Sequence, residues 1–147
     1  MVTEKIHIKA TPELVFEAIR KCRLAKNRKL ESYDGRIAVV KEELDNVPVF
    51  GKVECLWEET EQPFTRIDFK MLRSSKFKAS HGAFVLTASA DGQSTTLELE
   101  AHMDAGLAIP FAAEITKQST SKDSKARLEE IKKQAEADQK SKLVEQA

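Results

Sequence analysis

The sequence lacks net charge, long apolar runs and paired cysteines. Its 24 basic and 24 acidic side chains cancel, so the overall electrostatics give no reason to expect nucleic acid as the main partner. No segment approaches the length of a membrane span, and the pattern after Met1 has no apolar core of a signal peptide. Cys22 and Cys55 have neither CxxC spacing nor a nearby histidine. They predict two unpaired thiols in a reducing cytoplasm.

The composition is that of an ordinary folded domain. Apolar residues make up 41% of the 147 residues and charged residues 33%, values typical of a soluble globule rather than a disordered chain. The length fits a single domain. We expect that domain to cover residues 1–137, followed by a polar, frayed C-terminal tail at 138–147.

The first thirty residues predict a strand and two short helices. Ile6 and Ile8 alternate with polar residues, as in a half-buried strand. Thr11-Pro12 then supplies an N-cap and a first-turn proline for a helix that reaches Cys22. A polar second helical piece is expected over residues 23–30.

The middle of the chain has the period of two that is typical of strands. Strands are expected at 36–44, 49–58, 65–72, 76–90 and 94–104, with tight turns near Asp45-Asn46 and Asp91-Gly92. In the second hairpin, pairs whose numbers sum to 183 place Leu86 against residue 97 on one apolar face. The opposite face is largely polar. The result is an antiparallel sheet with one covered face.

A long helix is expected from Pro110 to Ala137, but its middle is unusual. No apolar side chain occurs between Ile115 and Ala126, so residues 116–125 have nothing to place against an apolar surface. Three alternatives follow. The helix is interrupted there, Ser119 presents a polar lining together with Lys122, or the stretch crosses the mouth of a cavity in solvent.

Several motifs are shared with one known superfamily. They are Ile6-x-Ile8-x-Ala10-x-Pro12-x-x-Val15-Phe16, Trp57-Glu58 with Pro63 and Ile67, Gly82-x-Phe84-x-Leu86, Asp91-Gly92, Ser94-Thr95-x-Leu97 and Leu128-x-x-Ile131-Lys132-x-x-Ala135-Glu136. In this order they resemble the helix-grip superfamily (SRPBCC), which includes START lipid-transfer domains, birch-pollen-allergen-like proteins and polyketide cyclases/dehydratases. The resemblance spans nearly the whole chain. It implies an α+β fold in which a curved antiparallel sheet wraps around a long C-terminal helix, with two short helices after the first strand and a ligand cavity between sheet and helix.

The apolar positions define the residues expected around that cavity. The strands contribute Val53, Cys55, Trp57, Ile67, Phe69, Met71, Phe84, Leu86, Leu97, Leu99 and Met103, and the helix contributes Phe111 and Ile115. For any single member, packing in a solid core is the favoured explanation. For the group, the resemblance favours a cavity.

Arg36 is the polar residue expected on the same face. A guanidinium there could hold the carboxylate, phosphate or enolate of a ligand. The alternative is that it lies at the open end of its strand and reaches water, with its stem on Trp57. Glu42 has the same parity and could pair with Arg36.

Two surface features allow both a functional and a plainer interpretation. His81 and His102 pair across strands beside Glu100, but that face is solvated and offers no third neutral ligand, so no metal site is predicted. Residues 20–29 include six basic side chains, which could dock on an anionic membrane, nucleic acid or an acidic partner. No aromatic residue interleaves them, and a solvated segment balanced by acidic residues is favoured.

The sequence thus predicts a protein that binds or carries an apolar or amphipathic small molecule, with no cofactor and no catalytic residue. The first alternative is an enzyme of the polyketide cyclase/dehydratase kind, for which Arg36 and Glu42 are the inward-facing candidates. The second is a protein-interaction module that docks on a chaperone or a membrane. Membrane contact is expected to be peripheral at most.

Overall fold

The computed structural model describes residues 1–24, 27–47, 49–106 and 111–146. Its elements in chain order are β1 (Val2–Ile8), α1 (Pro12–Cys22), β2 (Arg28–Tyr33), β3 (Ile37–Val47), β4 (Gly51–Gln62), β5 (Arg66–Ser74), β6 (Ala79–Ala88), β7 (Thr95–Asp104) and α2 (Ala112–Gln146). The strands form one antiparallel, curved sheet in the order β1-β7-β6-β5-β4-β3-β2. The predicted α+β architecture of a sheet and a long C-terminal helix is confirmed.

Helix α1 begins as its sequence predicts. The Thr11 hydroxyl accepts a hydrogen bond from the backbone N–H of Leu14, and Pro12 occupies the first turn. Such a cap satisfies one of the backbone donors that a helix start leaves unpaired. The apolar side of α1, including Phe16 and Ile19, is buried.

The prediction of a second short helix over residues 23–30 is wrong for residues 28–30. Residues 28–33 form the edge strand β2, in which Arg28 pairs with Glu42 and Leu30 with Val40 of β3. The residues of this segment have good helical propensity, but pairing with β3 and the ionic contact of Arg28 outweigh it. Ala25 and Lys26 lie outside the described residues.

The hairpin of β6 and β7 has the predicted register. Leu86 faces Leu97, and His81 faces His102, as the sum of 183 requires. The connection is longer than a two-residue turn, because the pairing ends before residues 89–94. An even change in loop length keeps every side chain on its predicted face.

The hairpin of β3 and β4 turns later than predicted. Asn46 does not form the turn; it has φ 55° within an irregular stretch of β3, and such a bulge lets a strand continue past a turn-forming residue. As a result Val40 faces Trp57 rather than Gly51. The shift of six positions is even, so the same side chains still face inward.

Helix α2 is continuous through the polar stretch, which rules out the first of the three alternatives, an interrupted helix. Its later half packs on the core through Leu128, Ile131 and Ala135. The segment predicted as a frayed tail is also helical, as far as Gln146. Polar contacts to α1 support it, because Lys21 Nζ lies 2.8 Å from a carboxylate oxygen of Asp138. The predicted helix start at residue 110 lies outside the described part of the chain.

Within the described ranges, neither helix is both long and apolar enough to cross a membrane.

Candidate ligand-binding cavity

An open cavity of about 510 Å³ lies between the inward face of the sheet and α2. The sequence has seven phenylalanines, one tryptophan and one tyrosine. Five of these nine aromatic side chains line the cavity: Phe50, Trp57, Phe69, Phe77 and Phe84. The aromatic residues of this chain are therefore concentrated around one space.

Three of these rings contact one another and form the aromatic wall of the cavity. The ring of Phe69 lies 5.7 Å from that of Trp57 and 5.8 Å from that of Phe84, centroid to centroid. Phe69 takes this position because the neighbouring strand has a glycine. A Cβ at Gly82 would lie 2.6 Å from Cζ of Phe69 and would clash with the carbonyl oxygen of Glu100. Gly82 thus makes room for the ring.

The polar end of the cavity is organised around Glu42. Its carboxylate accepts hydrogen bonds from Arg28 Nε at 2.8 Å, Arg127 Nη2 at 3.2 Å and Trp57 Nε1 at 3.1 Å. The Glu42 side chain is only 7% exposed. A buried carboxylate needs such partners to offset its loss of hydration. Glu42 consequently connects β2, β4 and α2 across the cavity.

Helix α2 contributes further ionisable groups around Arg127. Asp123 precedes it by one turn and lines the cavity, where solvent reaches it through the opening. The surrounding walls still remove part of its hydration, and this partial burial is the main cause that raises the pKa of Asp123. The negative charge of Glu42 raises it further, while Lys122 and Arg127 act in the opposite direction. Burial lowers the pKa of Arg127. The helix thus places both an acidic and a basic side chain against the cavity.

A second ionic cluster lies beside the cavity, beneath the end of α1. Arg23 donates from Nε to Glu59 at 2.6 Å and from Nη2 to Glu61 at 2.8 Å. Glu61 also accepts from the Tyr33 hydroxyl at 2.6 Å, and Arg20 Nε lies 3.4 Å from it. Arg23 and Glu59 also line the cavity. This cluster fixes α1 to the far strands of the sheet.

The predicted cavity residues divide into two groups. Those that line the cavity are Trp57, Phe69, Phe84, Leu99, Met103 and Ile115. Those that do not are Val53, Cys55, Ile67, Leu86 and Leu97, which are buried, and Met71, which is half-buried. Ile67, Leu86 and Leu97 belong to the packed core with α1 and the later half of α2. Alternation along a strand identifies an inward face, but it does not separate the filled part from the open part.

The inward placements predicted for Arg36 and Phe111 are wrong; for Arg36 the structure agrees with the alternative, a side chain in water. Arg36 is exposed in the turn before β3, which starts only at Ile37, and its backbone N–H donates to Oδ1 of Asp34. Strand parity therefore does not apply to it. Phe111 precedes α2 with φ 62° and is 79% exposed, so its side chain is not on the face opposite the sheet.

The second alternative for residues 116–125, a polar lining of the cavity, agrees with the structure. Ser119 and Lys122 both line the cavity. Asp123, Arg127 and Glu130 continue the same wall but were not predicted. Their spacing of four and three residues, which places them on one helix face, could have identified them.

Neither the histidine pair nor the basic segment at residues 20–29 forms a recognisable binding site among the described residues. His81 and His102 have ring centroids 5.0 Å apart, and no group of three possible metal ligands occurs among the described residues. Most of the basic segment is engaged within the chain. Lys21 pairs with an acid of α2, Arg20 and Arg23 pair with acids of α1 and β4, and Arg28 pairs with Glu42.

The chain belongs to the family described as polyketide cyclase / dehydrase and lipid transport, whose model matches residues 1–136. No curated protein matches the sequence.

Solved structures of distant relatives share the fold. A protein of Thermus thermophilus (TTHA0849) is 17% identical with a TM-score of 0.77, covering 92% of this chain and 97% of that one. The Zhui aromatase/cyclase of Streptomyces sp. R1128 is 17% identical with a TM-score of 0.75, covering 92% of each chain. A START superfamily protein of Mycobacterium smegmatis is 11% identical with a TM-score of 0.66, covering 95% and 97%. At these identities the likeness concerns the fold alone.

Proposed function

We propose that this protein binds or carries an amphipathic small molecule in the cavity between the sheet and α2, without chemical change to it. The cavity itself is the observation that carries this proposal. Its volume of about 510 Å³ lies within the range of roughly 300–1,000 Å³ of small-molecule sites. The family contains both lipid-transport and cyclase members by its description, which is compatible with such a role.

The two kinds of wall support an amphipathic ligand over a pure hydrocarbon. The aromatic wall would bury a ring or chain and exclude water from it. The polar part adjoins it at the hydrogen bond from Trp57 to Glu42 and includes Asp123 and Arg127. A hydrocarbon there would displace water from Asp123 without replacing its hydrogen bonds. A ligand with one polar end satisfies both regions.

Uptake of a neutral aromatic amphiphile tests the proposal, with Trp57 as the reporter. Trp57 is the sole tryptophan and lines the cavity, so N-phenyl-1-naphthylamine should quench its emission as it enters. The Ser119→Phe variant should bind the probe at least about tenfold more weakly, since a ring at this position takes up space that the probe needs; the loss corresponds to about 1.4 kcal/mol.

Lys117→Phe is the matched control, because residue 117 is exposed on the same helix and does not line the cavity. It should bind as the parent protein does. Equal affinities of the two variants, or no change in Trp57 emission at saturating probe, would contradict binding in this cavity.

One observation favours a second candidate, an enzyme related to the polyketide cyclases. Asp123 lines the cavity and has a raised pKa, as a general acid requires. An enzyme of this kind would accelerate the cyclisation of a short poly-β-ketone in a direct assay by absorbance. Asp123→Asn should then remove turnover while uptake of the neutral probe is unchanged. Absence of turnover by the parent protein would leave the carrier role alone.

We also propose a cytoplasmic location. Cys22 and Cys55 are free and buried. Burial raises the pKa of Cys22 to about 11 and also raises that of Cys55. Thiols held in the protonated form react slowly with oxidants, and unpaired cysteines are typical of proteins in reducing compartments.

A further inference from the structure

The cavity wall does not have the excess of basic side chains that an anionic ligand would need. Four basic and five acidic residues line the cavity: Arg23, Arg28, Lys122 and Arg127, and Glu42, Asp45, Glu59, Asp123 and Glu130. Acidic groups outnumber basic ones in a space whose remaining wall is aliphatic and polar, with five aromatic side chains. An aromatic wall with carboxylates is the combination that proteins use to recognise organic cations.

The three arginines of the wall are already engaged. Arg23 donates to Glu59 and Glu61, and Arg28 and Arg127 share the carboxylate of Glu42. A guanidinium that is held by buried carboxylates has less to offer an incoming anion. The arginines of this cavity therefore serve mainly to neutralise the acids beside them.

Asp123 is in a different situation. It takes part in no ion pair within the described ranges, whose pairs at this end of the cavity join Glu42 to Arg28 and Arg127. Its surroundings disfavour the charged form, because partial burial and the charge of Glu42 raise its pKa. A positive group placed beside Asp123 would compensate for both effects. Asp123 and Lys122 are both exposed at the opening of the cavity. The charges of Lys122 and Arg127 act in the opposite direction on the pKa of Asp123, but they do not outweigh the two causes that raise it.

We propose that the ligand is an amphipathic organic cation, an amine on an aromatic skeleton, with its ammonium group at Asp123 and its ring system against Trp57 and Phe69. This inference rests on the proposed binding function and specifies the chemical class of the ligand. An anion would meet the carboxylates of Asp123 and Glu42 at the same place. A neutral ligand would leave Asp123 without a counter-charge. Only the cation gains from both the carboxylate and the aromatic faces.

A matched series of three compounds tests the charge preference. The compounds are 2-(1-naphthyl)ethylamine, 2-(1-naphthyl)ethanol and 1-naphthylacetic acid, which share one ring system and differ in the polar end. Titration calorimetry at neutral pH should give the amine at least about tenfold higher affinity than the alcohol, or roughly 1.4 kcal/mol. The acid should bind most weakly.

The Asp123→Asn variant assigns the preference to one residue. It should bring the amine to within about twofold of the alcohol and leave the affinity for the alcohol unchanged. Glu129→Gln is the control, since it removes an exposed carboxylate of α2 that does not line the cavity. It should leave all three affinities as they are. The charge removed from the protein is the same in both variants.

The failures of the two proposals are distinguishable. If the alcohol binds as well as the amine, or the acid binds best, the cation preference is wrong while the binding function stands. If the preference for the amine persists in Asp123→Asn, Asp123 is not the ammonium site and the inference is overturned. If none of the compounds binds and N-phenyl-1-naphthylamine does not enter the cavity, the binding function fails and the inference fails with it.

Discussion

Replacing Glu42 with glutamine is expected to reduce the free energy of unfolding by about 3–5 kcal/mol, the usual cost of removing one member of a buried ionic group. The reason is the position of Glu42 between two guanidiniums, those of Arg28 and Arg127. Without its charge, two like charges remain close together in a poorly hydrated region. Trp57 also loses a charged acceptor for its indole N–H. Urea denaturation followed by circular dichroism measures the effect.

The neighbouring acid provides the control for this prediction. Glu43 lies on the other side of the same strand, half-exposed, with Lys52 Nζ 3.9 Å from its carboxylate. Glu43→Gln should change the free energy of unfolding by less than about 1 kcal/mol, as for other exposed ion pairs. Similar losses for the two variants would show that the buried position of Glu42 is not what matters.

Replacing Arg23 with methionine is expected to cost a similar amount, about 3–5 kcal/mol. Its side chain is 5% exposed and holds two carboxylates, Glu59 and Glu61. Glu61 keeps Tyr33 as a donor, but Glu59 loses the contact at 2.6 Å. Thermal unfolding should show a lower midpoint, and adding Glu59→Gln to the methionine variant should recover part of the loss, because the stranded charge is then removed.

The control for Arg23 is its neighbour in the basic segment. Lys21 is 54% exposed and pairs with Asp138. Lys21→Met should therefore cost less than about 1 kcal/mol. A cost below this value for Arg23→Met as well would mean that the cluster beneath α1 contributes little to stability.

The sheet can be predicted from the sequence because alternation is a local signal. Leu86 and Leu97 carry it from two strands at once, and agreement between two strands fixes the face even where the turn is longer than expected. The same reasoning tolerates an error of six positions in the pairing of β3 with β4. It fails for Arg36, since a residue in a turn has no strand parity.

The polar end of the cavity cannot be predicted in the same way. The local pattern around Arg28 is typical of a helix, and the partner that strand parity offers Glu42 is Arg36, which lies exposed in a turn. Glu42 pairs instead with Arg28 and Arg127. Arg127 and Asp123 are far from Glu42 in sequence and meet it only when α2 crosses the sheet. Their spacing places Asp123 and Arg127 on one helix face. Charged residues on a helix are usually solvated, so the spacing alone does not show that this face, and not the one with Glu129, meets the cavity. The distinction depends on tertiary packing alone.

The continuity of α2 has a consequence for how such a protein can change. One half of the helix, with Leu128, Ile131 and Ala135, holds the core together. The other half places Ser119 and Asp123 against the open cavity, while Ser121 donates to Glu4 of β1. Substitutions in the first half are costly, whereas those at the cavity-facing positions of the second can alter the chemistry of the wall at little cost in stability. New ligand preferences can therefore be selected or engineered at the positions of α2 that face the cavity, which recur every three to four residues, without redesign of the fold.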